Sequence, residues 1–293
     1  MKVGMIGLGV MGHGIASNII KNGWPLVVYD LRPECYADLL GPNVKAAGSL
    51  EELSQEVDTI LMIVNAYKNC ESIMTELLKT MHSGTVVNMS TISMDDAKKL
   101  EEMAAKGGVS MLDCPVSGGT AGAKNGTLTM MAAGADELFE AHKPLFESYC
   151  GNVVHVGKEV GQGQAFKAVN QLLVGVHMCA TAEAFTMARK CGLDLQILYD
   201  TIKTSAGTSR IFENRGQFVI DRDFSIRSTL TIQLKDTDIA CKTAESVGAP
   251  ALLGNVARQL FNMSVRQFPP NDDSIEVIRL YEKMADVQVD EKA

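Results

Sequence analysis

The chain has 293 residues, 46% of them hydrophobic, and a net charge of −8. That length supports a sizeable core and points to two domains rather than one. Lysine and arginine form no block, so nucleic acid is not an expected partner, and no uninterrupted apolar run approaches the roughly 20 residues of a membrane span.

The longest apolar stretch, 172–182, is short and contains His177, which reads as a core histidine. Seven cysteines, at 35, 70, 114, 150, 179, 191 and 241, are scattered without a C-x-x-C pair. An odd count of isolated thiols points to reduced cysteines in a cytoplasmic protein, and neither a disulfide framework nor a metal site is expected. The chain begins with Met1-Lys-Val-Gly-Met-Ile-Gly, which reads as a strand and not as a leader.

Residues 2–6 form that strand. The loop Gly7, Leu8, Gly9, Val10, Met11 and Gly12 follows, and Ile15, Ala16, Ile19 and Ile20 then recur at helical spacing. Strand, G-x-G-x-x-G and helix in this order make a dinucleotide-binding unit: one glycine for the turn, one for close approach of a pyrophosphate, one for helix packing. A second strand, 25–29, leads into Asp30, roughly 20 residues beyond the glycines, where an acid would bond the ribose hydroxyls. Its charge would repel a 2′-phosphate, which favours NAD over NADP; Arg32 is the residue that could meet that phosphate instead.

Strand-like runs at 59–64, 85–89 and Ser110–Asp113 then alternate with helical patterns at 50–55, 70–81 and Met94–Lys106. Such alternation predicts a parallel sheet covered by helices on both faces. Ligands of such sheets lie beyond the carboxyl ends of the strands, which makes Asn65 and Thr91 candidate cofactor contacts, with turn or cap residues as the alternative. Asp113-Cys-Pro-Val-Ser-Gly-Gly follows. Ser117, Gly118 and Gly119 offer a hydroxyl and backbone N–H groups, a nest suited to a carboxylate, with an ordinary glycine-rich turn as the alternative. Cys114 reads as a small buried apolar residue. Strands at Leu128–Ala133 and 153–156, with a helix at Asp136–Phe146 between them, complete a first domain, 1–161.

From Gly163 onward the periodicity is helical throughout, over 165–191, 195–203, 210–220, 229–247, 251–266 and 274–285. Asp194, Ser209 and Asp272 or Asp273 are the expected N-caps. The tail from Val287 reads as frayed. Residues 162–293 are thus an all-helical domain for substrate binding and oligomerisation, joined to the first through a long helix. Lys167, Asn170 and Gln171 fall on one face of that helix, where a cation and two amides are costly to bury without partners. Lys235 and Asp236 lie within another apolar helix, and Arg210 and Arg215 are possible carboxylate partners. An exposed helix face is the alternative for each of these.

Four of these segments together resemble the β-hydroxyacid dehydrogenases, the group that includes 3-hydroxyisobutyrate dehydrogenase and tartronate semialdehyde reductase. They are Gly7-Leu-Gly-Val-Met-Gly12, Asp113-Cys-Pro-Val-Ser-Gly-Gly119, Gly161-Gln-Gly-Gln-Ala-Phe-Lys167 with Asn170, and Leu234-Lys-Asp236. The resemblance implies a Rossmann-type doubly wound domain followed by the helical one. It implies that Lys167 is the catalytic acid/base, that Ser117, Gly118 and Gly119 hold the substrate carboxylate, and that Thr91 and Lys235 contact the cofactor. Two positions depart from the family pattern. Gln171 stands where many relatives have asparagine, and Ser228 where some have an aromatic residue, which implies a more hydroxylated substrate. Val64-Asn-Ala66, Gln171-Leu-Leu-Val-Gly-Val-His177, Ala206-Gly-Thr-Ser209 and Phe212-Glu-Asn-Arg215 resemble the L-threonate dehydrogenases within the family.

The expected function is hydride transfer between NAD and a small hydroxy acid, with Asn170 or Gln171 orienting the substrate oxygen. A lysine serves as base only where desolvation and a nearby positive charge bring its pKa down from about 10.4. The alternatives are 3-hydroxyisobutyrate dehydrogenase and tartronate or succinic semialdehyde reductase. An imine reductase on the same architecture usually lacks the lysine, and a non-catalytic cofactor-binding module would be expected to lose it. A dimer or tetramer is expected from the long apolar helix.

Overall fold

A computed structural model describes residues 1–290 of the chain. The chain divides into two compact units, Met1–Lys167 and the residues from Ala168 on. The division falls inside helix α7 (Gln162–Lys190), and Gly161 immediately precedes that helix.

In the first unit the elements run β1 (Val3–Ile6), α1 (Val10–Lys21), β2 (Leu26–Tyr29), β3 (Val44–Ala46), α2 (Leu50–Glu56), β4 (Thr59–Met62), α3 (Tyr67–Leu77), β5 (Thr85–Asn88), α4 (Met94–Lys106), β6 (Ser110–Asp113), β7 (Val116–Ser117), α5 (Gly119–Asn125), β8 (Leu128–Ala133), α6 (Asp136–Phe146) and β9 (Cys150–Gly157). The sheet order is β3-β2-β1-β4-β5-β6-β8-β7, with β9 paired to β8. The six strands β1 to β6 are parallel, as in Val3 opposite Leu26 on one side and Thr59 on the other. The chain then reverses, and β8 runs antiparallel to β6 and β7.

This is the doubly wound sheet the alternation predicts. Strands β1, β4 and β5 are buried along their whole length, which is why they read as continuous apolar runs and not as alternating ones. Neighbouring residues still face opposite layers. Met5, Leu61 and Val87 enter one core with Ile15 and Ile19 of α1, while Ile6, Ile60, Met62 and Val86 enter the other with Met74 and Leu100. Burying each such side chain stabilises the fold by about 1.5–3 kcal/mol.

Three elements escape the sequence pattern: β3, the two-residue strand β7 and α5. Strand β3 is a short edge strand with only Val44 buried. Helix α5 has the composition of a turn, Gly-Thr-Ala-Gly-Ala-Lys-Asn. Its C-terminal carbonyls of Ala123 and Lys124 accept from Asn18 Nδ2 at 2.8 and 3.2 Å, so a residue of α1 satisfies groups that would otherwise be orphaned.

The second unit is helical: the remainder of α7, then α8 (Leu195–Ile202), α9 (Arg210–Ile220), α10 (Leu230–Ser246), α11 (Leu252–Gln267) and α12 (Ile278–Ala285), the last preceded by a 3₁₀ turn at Ser274–Val277. Asp194, Ser209 and Thr229 cap their helices by accepting from Ile197 N (2.8 Å), Phe212 N (3.1 Å) and Ile232 N (3.2 Å). Phe185, Phe212, Val219, Phe261 and Ile278 form the core, with the Phe185 and Phe212 rings stacked at 5.5 Å. The tail differs from the expected fraying: Val289 is buried, its N–H donates to Glu282 Oε1 at 2.7 Å, and its carbonyl accepts from Arg222 Nη1 at 3.0 Å. Residues 291–293 of that tail lie outside the described residues. No described helix is long and apolar enough to cross a membrane.

Candidate active site

The sheet delivers its first polar feature where β1 ends. Gly7 takes a φ of +88°, and a Cβ there would sit 2.1 Å from the carbonyl oxygen of Ile63. A Cβ on Gly12 would lie 1.9 Å from Gly7 O, whereas one on Gly9 would meet nothing within 4 Å. Two glycines are therefore demanded by packing, and the third leaves open space beside the start of α1. No side chain caps that helix, and its first turn, which includes Val10 and Met11, carries no acid. This is the cradle a pyrophosphate needs. Asp30 follows β2; its Oδ2 accepts from Leu8 N at 2.7 Å and its Oδ1 from Arg32 N at 3.0 Å. The acid is thus tied to the glycine loop itself. Arg32 is 63% exposed, its Nε 3.8 Å from Asp30 Oδ1. These residues fit a nicotinamide dinucleotide.

The next two strand ends are joined. Ser90 Oγ accepts from Val64 N at 2.8 Å, which links the turn after β4, where Asn65 is exposed, to the turn after β5, where Thr91 is half-buried. Asp113 closes β6 and is fully buried. Its Oδ2 accepts from the backbone N–H groups of Gly161 and Gln164, both at 3.0 Å, and its Oδ1 from Gln164 Nε2 at 2.7 Å. Burial pushes its carboxyl up to about 6, against the hydrogen bonds from Gln164 and Gly161, which act to lower it. Gly163 lies against the same group, since a Cβ there would meet Asp113 O at 2.6 Å.

Lys167 is one turn further along α7 and only 6% exposed. Its Nζ donates to Val116 O at 2.8 Å, the residue before Ser117. Gly118 and Gly119 follow with φ of +131° and +63°, a backbone conformation open to glycine and costly for other residues. Gly118 is the N-cap of α5, Gly119 opens that helix, and no side chain caps it, which leaves backbone N–H groups of its first turn without an intrahelical partner. The first unit therefore gathers Lys167, Ser117, Gly118 and Gly119. Cys114 is fully buried and burial pushes its thiol well above the ordinary range, as befits an apolar filler and not a nucleophile.

The second unit has its own polar chain. Asn170 Nδ2 donates to Gln171 Oε1 at 2.8 Å, Gln171 Nε2 donates to Asp236 Oδ2 at 2.5 Å, and Lys235 Nζ lies 2.9 Å from Asp236 Oδ1. At Asp236 Oδ1 the contact is a charge pair without hydrogen-bond alignment. Both ends of the Gln171 amide are engaged within this chain. Arg215 Nη1 is 3.6 Å from Asp273 Oδ1, and Asp273 is fully buried, accepting from the N–H groups of Arg227 (2.7 Å) and Ser228 (3.1 Å). Arg210 is exposed and His177 half-buried. Among the described residues no group of three or more His, Cys, Asp or Glu could hold a metal ion.

Gln164 and Ser90 are the residues the sequence pattern passes over. The available signal was weak: a single amide in a glycine-rich helix start, and a serine after a strand.

Two family models match the chain, one described as the NAD binding domain of 6-phosphogluconate dehydrogenase over residues 2–157, the other as NAD-binding of NADP-dependent 3-hydroxyisobutyrate dehydrogenase over residues 161–281. An L-threonate dehydrogenase of Pectobacterium atrosepticum is 34% identical over 284 residues, 95% of this chain and 93% of that protein. The crystal structure of a 3-hydroxyisobutyrate dehydrogenase from Salmonella typhimurium is similar with a TM-score of 0.87 and 33% identity, covering 95% of this chain and 99% of that one. A Mycobacterium tuberculosis 3-hydroxyisobutyrate dehydrogenase described with L-serine gives 0.86 and 27%, covering 95% of this chain and 98% of that one.

Proposed function

The chain belongs to the β-hydroxyacid dehydrogenase family, and we propose that within it the substrate is L-threonate or a similar small sugar acid, oxidised with Lys167 as general acid/base. The enzyme is an oxidoreductase that uses a nicotinamide dinucleotide and acts on a CH–OH group. When bound, the dinucleotide supplies the hydride acceptor, and the protein positions and polarises.

The observation that carries this reading is the buried Lys167 amine held 2.8 Å from Val116 O, directly before the Ser117-Gly118-Gly119 turn. An amine fixed beside a carboxylate nest can take the proton of a hydroxyl on the same small molecule and return it in the reverse direction. Ser117 Oγ and the N–H groups of Gly118 and Gly119 hold the carboxylate. Asn170 or Gln171 would orient the reacting oxygen, the two amides being joined to each other and to Asp236. Thr91, Asn65 and Lys235 are assigned to the cofactor, and residues 1–161 and 162–293 to its binding and to substrate binding with oligomerisation.

Asp30 favours NAD over NADP, because an ionised carboxylate opposes a 2′-phosphate. The L-threonate assignment rests on the similarity to L-threonate dehydrogenases and on Ser228, a small polar residue where some relatives carry an aromatic one. 3-Hydroxyisobutyrate is the second reading, favoured by the similarity to the Salmonella structure. A homo-oligomer is supported by Leu252, Leu253 and Val256 of α11, all exposed. A cytoplasmic location suits seven cysteines that are all free thiols.

The test is a substrate screen followed at the NADH absorbance, with L-threonate, D-threonate, 3-hydroxyisobutyrate, glycerate and 3-hydroxypropionate. L-Threonate should give the highest kcat/KM. A clear signal with 3-hydroxyisobutyrate and none with L-threonate would overturn the assignment.

A further inference from the structure

Gln164 is 1% exposed, and every polar atom of its side chain is used. Its Oε1 accepts from Ile92 N at 3.1 Å, while its Nε2 donates to Ser90 O at 3.0 Å and to Asp113 Oδ1 at 2.7 Å. Asp113, with no exposure of its own, takes the two N–H groups at the start of α7 on its other oxygen. The pair thus joins three pieces of backbone: the turn after β5, the end of β6 and the first turn of α7. Each carries a residue assigned above. Thr91 lies between the two backbone groups that Gln164 holds, Ser117 lies shortly after Asp113, and Lys167 lies at i+3 from Gln164 on the same helix.

A helix start could be capped by a serine or threonine on the surface. Here a carboxylate is desolvated to do it, which is costly unless its lone pairs are fully used. The arrangement serves something a surface cap would not, a fixed register between a helix and two sheet turns. Hydrogen-bonded clusters buried in this way hold neighbouring groups in one geometry, and a misplacement of about 1 Å at a reacting group can cost on the order of 100-fold in rate.

We propose that Asp113 and Gln164 are a positioning pair that locks the Thr91 turn, the Ser117 turn and Lys167 in one register, so that dinucleotide binding and proton transfer are held by a single node. The proposal rests on the assignment of Lys167 and Thr91 given above. Neither residue of the pair touches substrate; both act through the backbone they hold.

Two variants test it: Gln164→Met, which keeps the length and removes the hydrogen bonds, and Asp113→Asn, which sets an amide donor against the Gln164 donor. Each is measured for kcat and KM and, separately, for NADH affinity by titration of the dinucleotide fluorescence. Gln164→Met should lower kcat at least tenfold and weaken NADH binding at least fivefold, because both turns lose their anchor. Asp113→Asn should also lower kcat at least tenfold, because the two like amide donors push the end of β6 and α7 apart. Either variant with kcat and NADH affinity both within twofold of wild type would overturn the proposal. Lys167→Ala separates this outcome from failure of the underlying reading. If that variant turns over within a few-fold of wild type, Lys167 is not the acid/base, while the NADH titration of Gln164→Met continues to report on the pair.

Discussion

The candidate site residues of the two units are held in different ways. Up to Lys167 they are anchored chiefly on backbone: Lys167 on Val116 O, Gln164 on Ser90 O and Ile92 N, Asp113 on the N–H groups of Gly161 and Gln164. From Ala168 on, Asn170, Gln171, Asp236 and Lys235 are anchored on each other, while Asp273 again accepts from backbone N–H groups. Backbone anchors survive most point mutations, since every residue keeps its carbonyl and every residue but proline its N–H. Side-chain anchors can be exchanged one at a time. The first arrangement suits a geometry that must be held, and the second suits contacts that single substitutions can retune. Gln171 and Ser228, the two departures from the family pattern, both lie in the second unit.

This contrast predicts effects of different size and kind. The largest belongs to Lys167. Lys167→Ala should lower kcat by about 10³-fold or more while NADH still binds, within the range of general acid/base catalysis. Loss of only a few-fold would remove the first unit's claim to the chemistry.

Asp113 comes next, through pH. Its folded carboxyl titrates at about 6, above the ordinary value of 3.8. Between these values the folded state holds the proton more tightly than the unfolded chain does. Its contribution to stability is therefore full below about pH 4 and is lost as pH rises through about 6, amounting to about 3 kcal/mol. Denaturant unfolding from pH 4 to 7 should show this slope in wild type and not in Asp113→Asn. Parallel curves would show that the carboxyl is not desolvated as described.

Gln171→Leu removes a side-chain anchor and leaves Asp236 Oδ2 without its amide donor, a loss of about 1–3 kcal/mol. The expected result is a fall of about 10- to 100-fold in kcat/KM for the hydroxy acid, a changed ratio between L-threonate and 3-hydroxyisobutyrate, and unchanged NADH affinity. An unchanged substrate ratio would break the link between the second unit and specificity. The smallest effect is expected at Asp30: Asp30→Ser should improve NADP relative to NAD by about tenfold, measured as the ratio of kcat/KM values, because the repulsion of a 2′-phosphate is removed.

Much of this protein is legible from local pattern. The strands β1, β4, β5 and β6 and the helix α4 follow from apolar runs and 3–4 spacing, and the caps at Asp194 and Ser209 from residue type alone. The glycine loop, Lys167 and the Ser117 turn are visible because their chemistry is unusual for their surroundings. Helix α5 is not visible, since seven residues rich in glycine have no helical propensity of their own and depend on Asn18 for their carbonyl partners. The buried tail at Val289 depends likewise on Glu282 and Arg222.

The sequence by itself determined the order of most elements and singled out the residues proposed to bind a dinucleotide and move a proton, because propensity, periodicity and residue chemistry act over a few neighbours. Only the tertiary structure decided what those residues are tied to. Gln164 meets Ser90 across 74 positions of sequence, Asp113 meets Gly161 across 48, and Gln171 meets Asp236 across 65. Hydrogen bonds of that span leave no local signature, since each partner is an ordinary polar group until the sheet and helices bring the two within 3 Å.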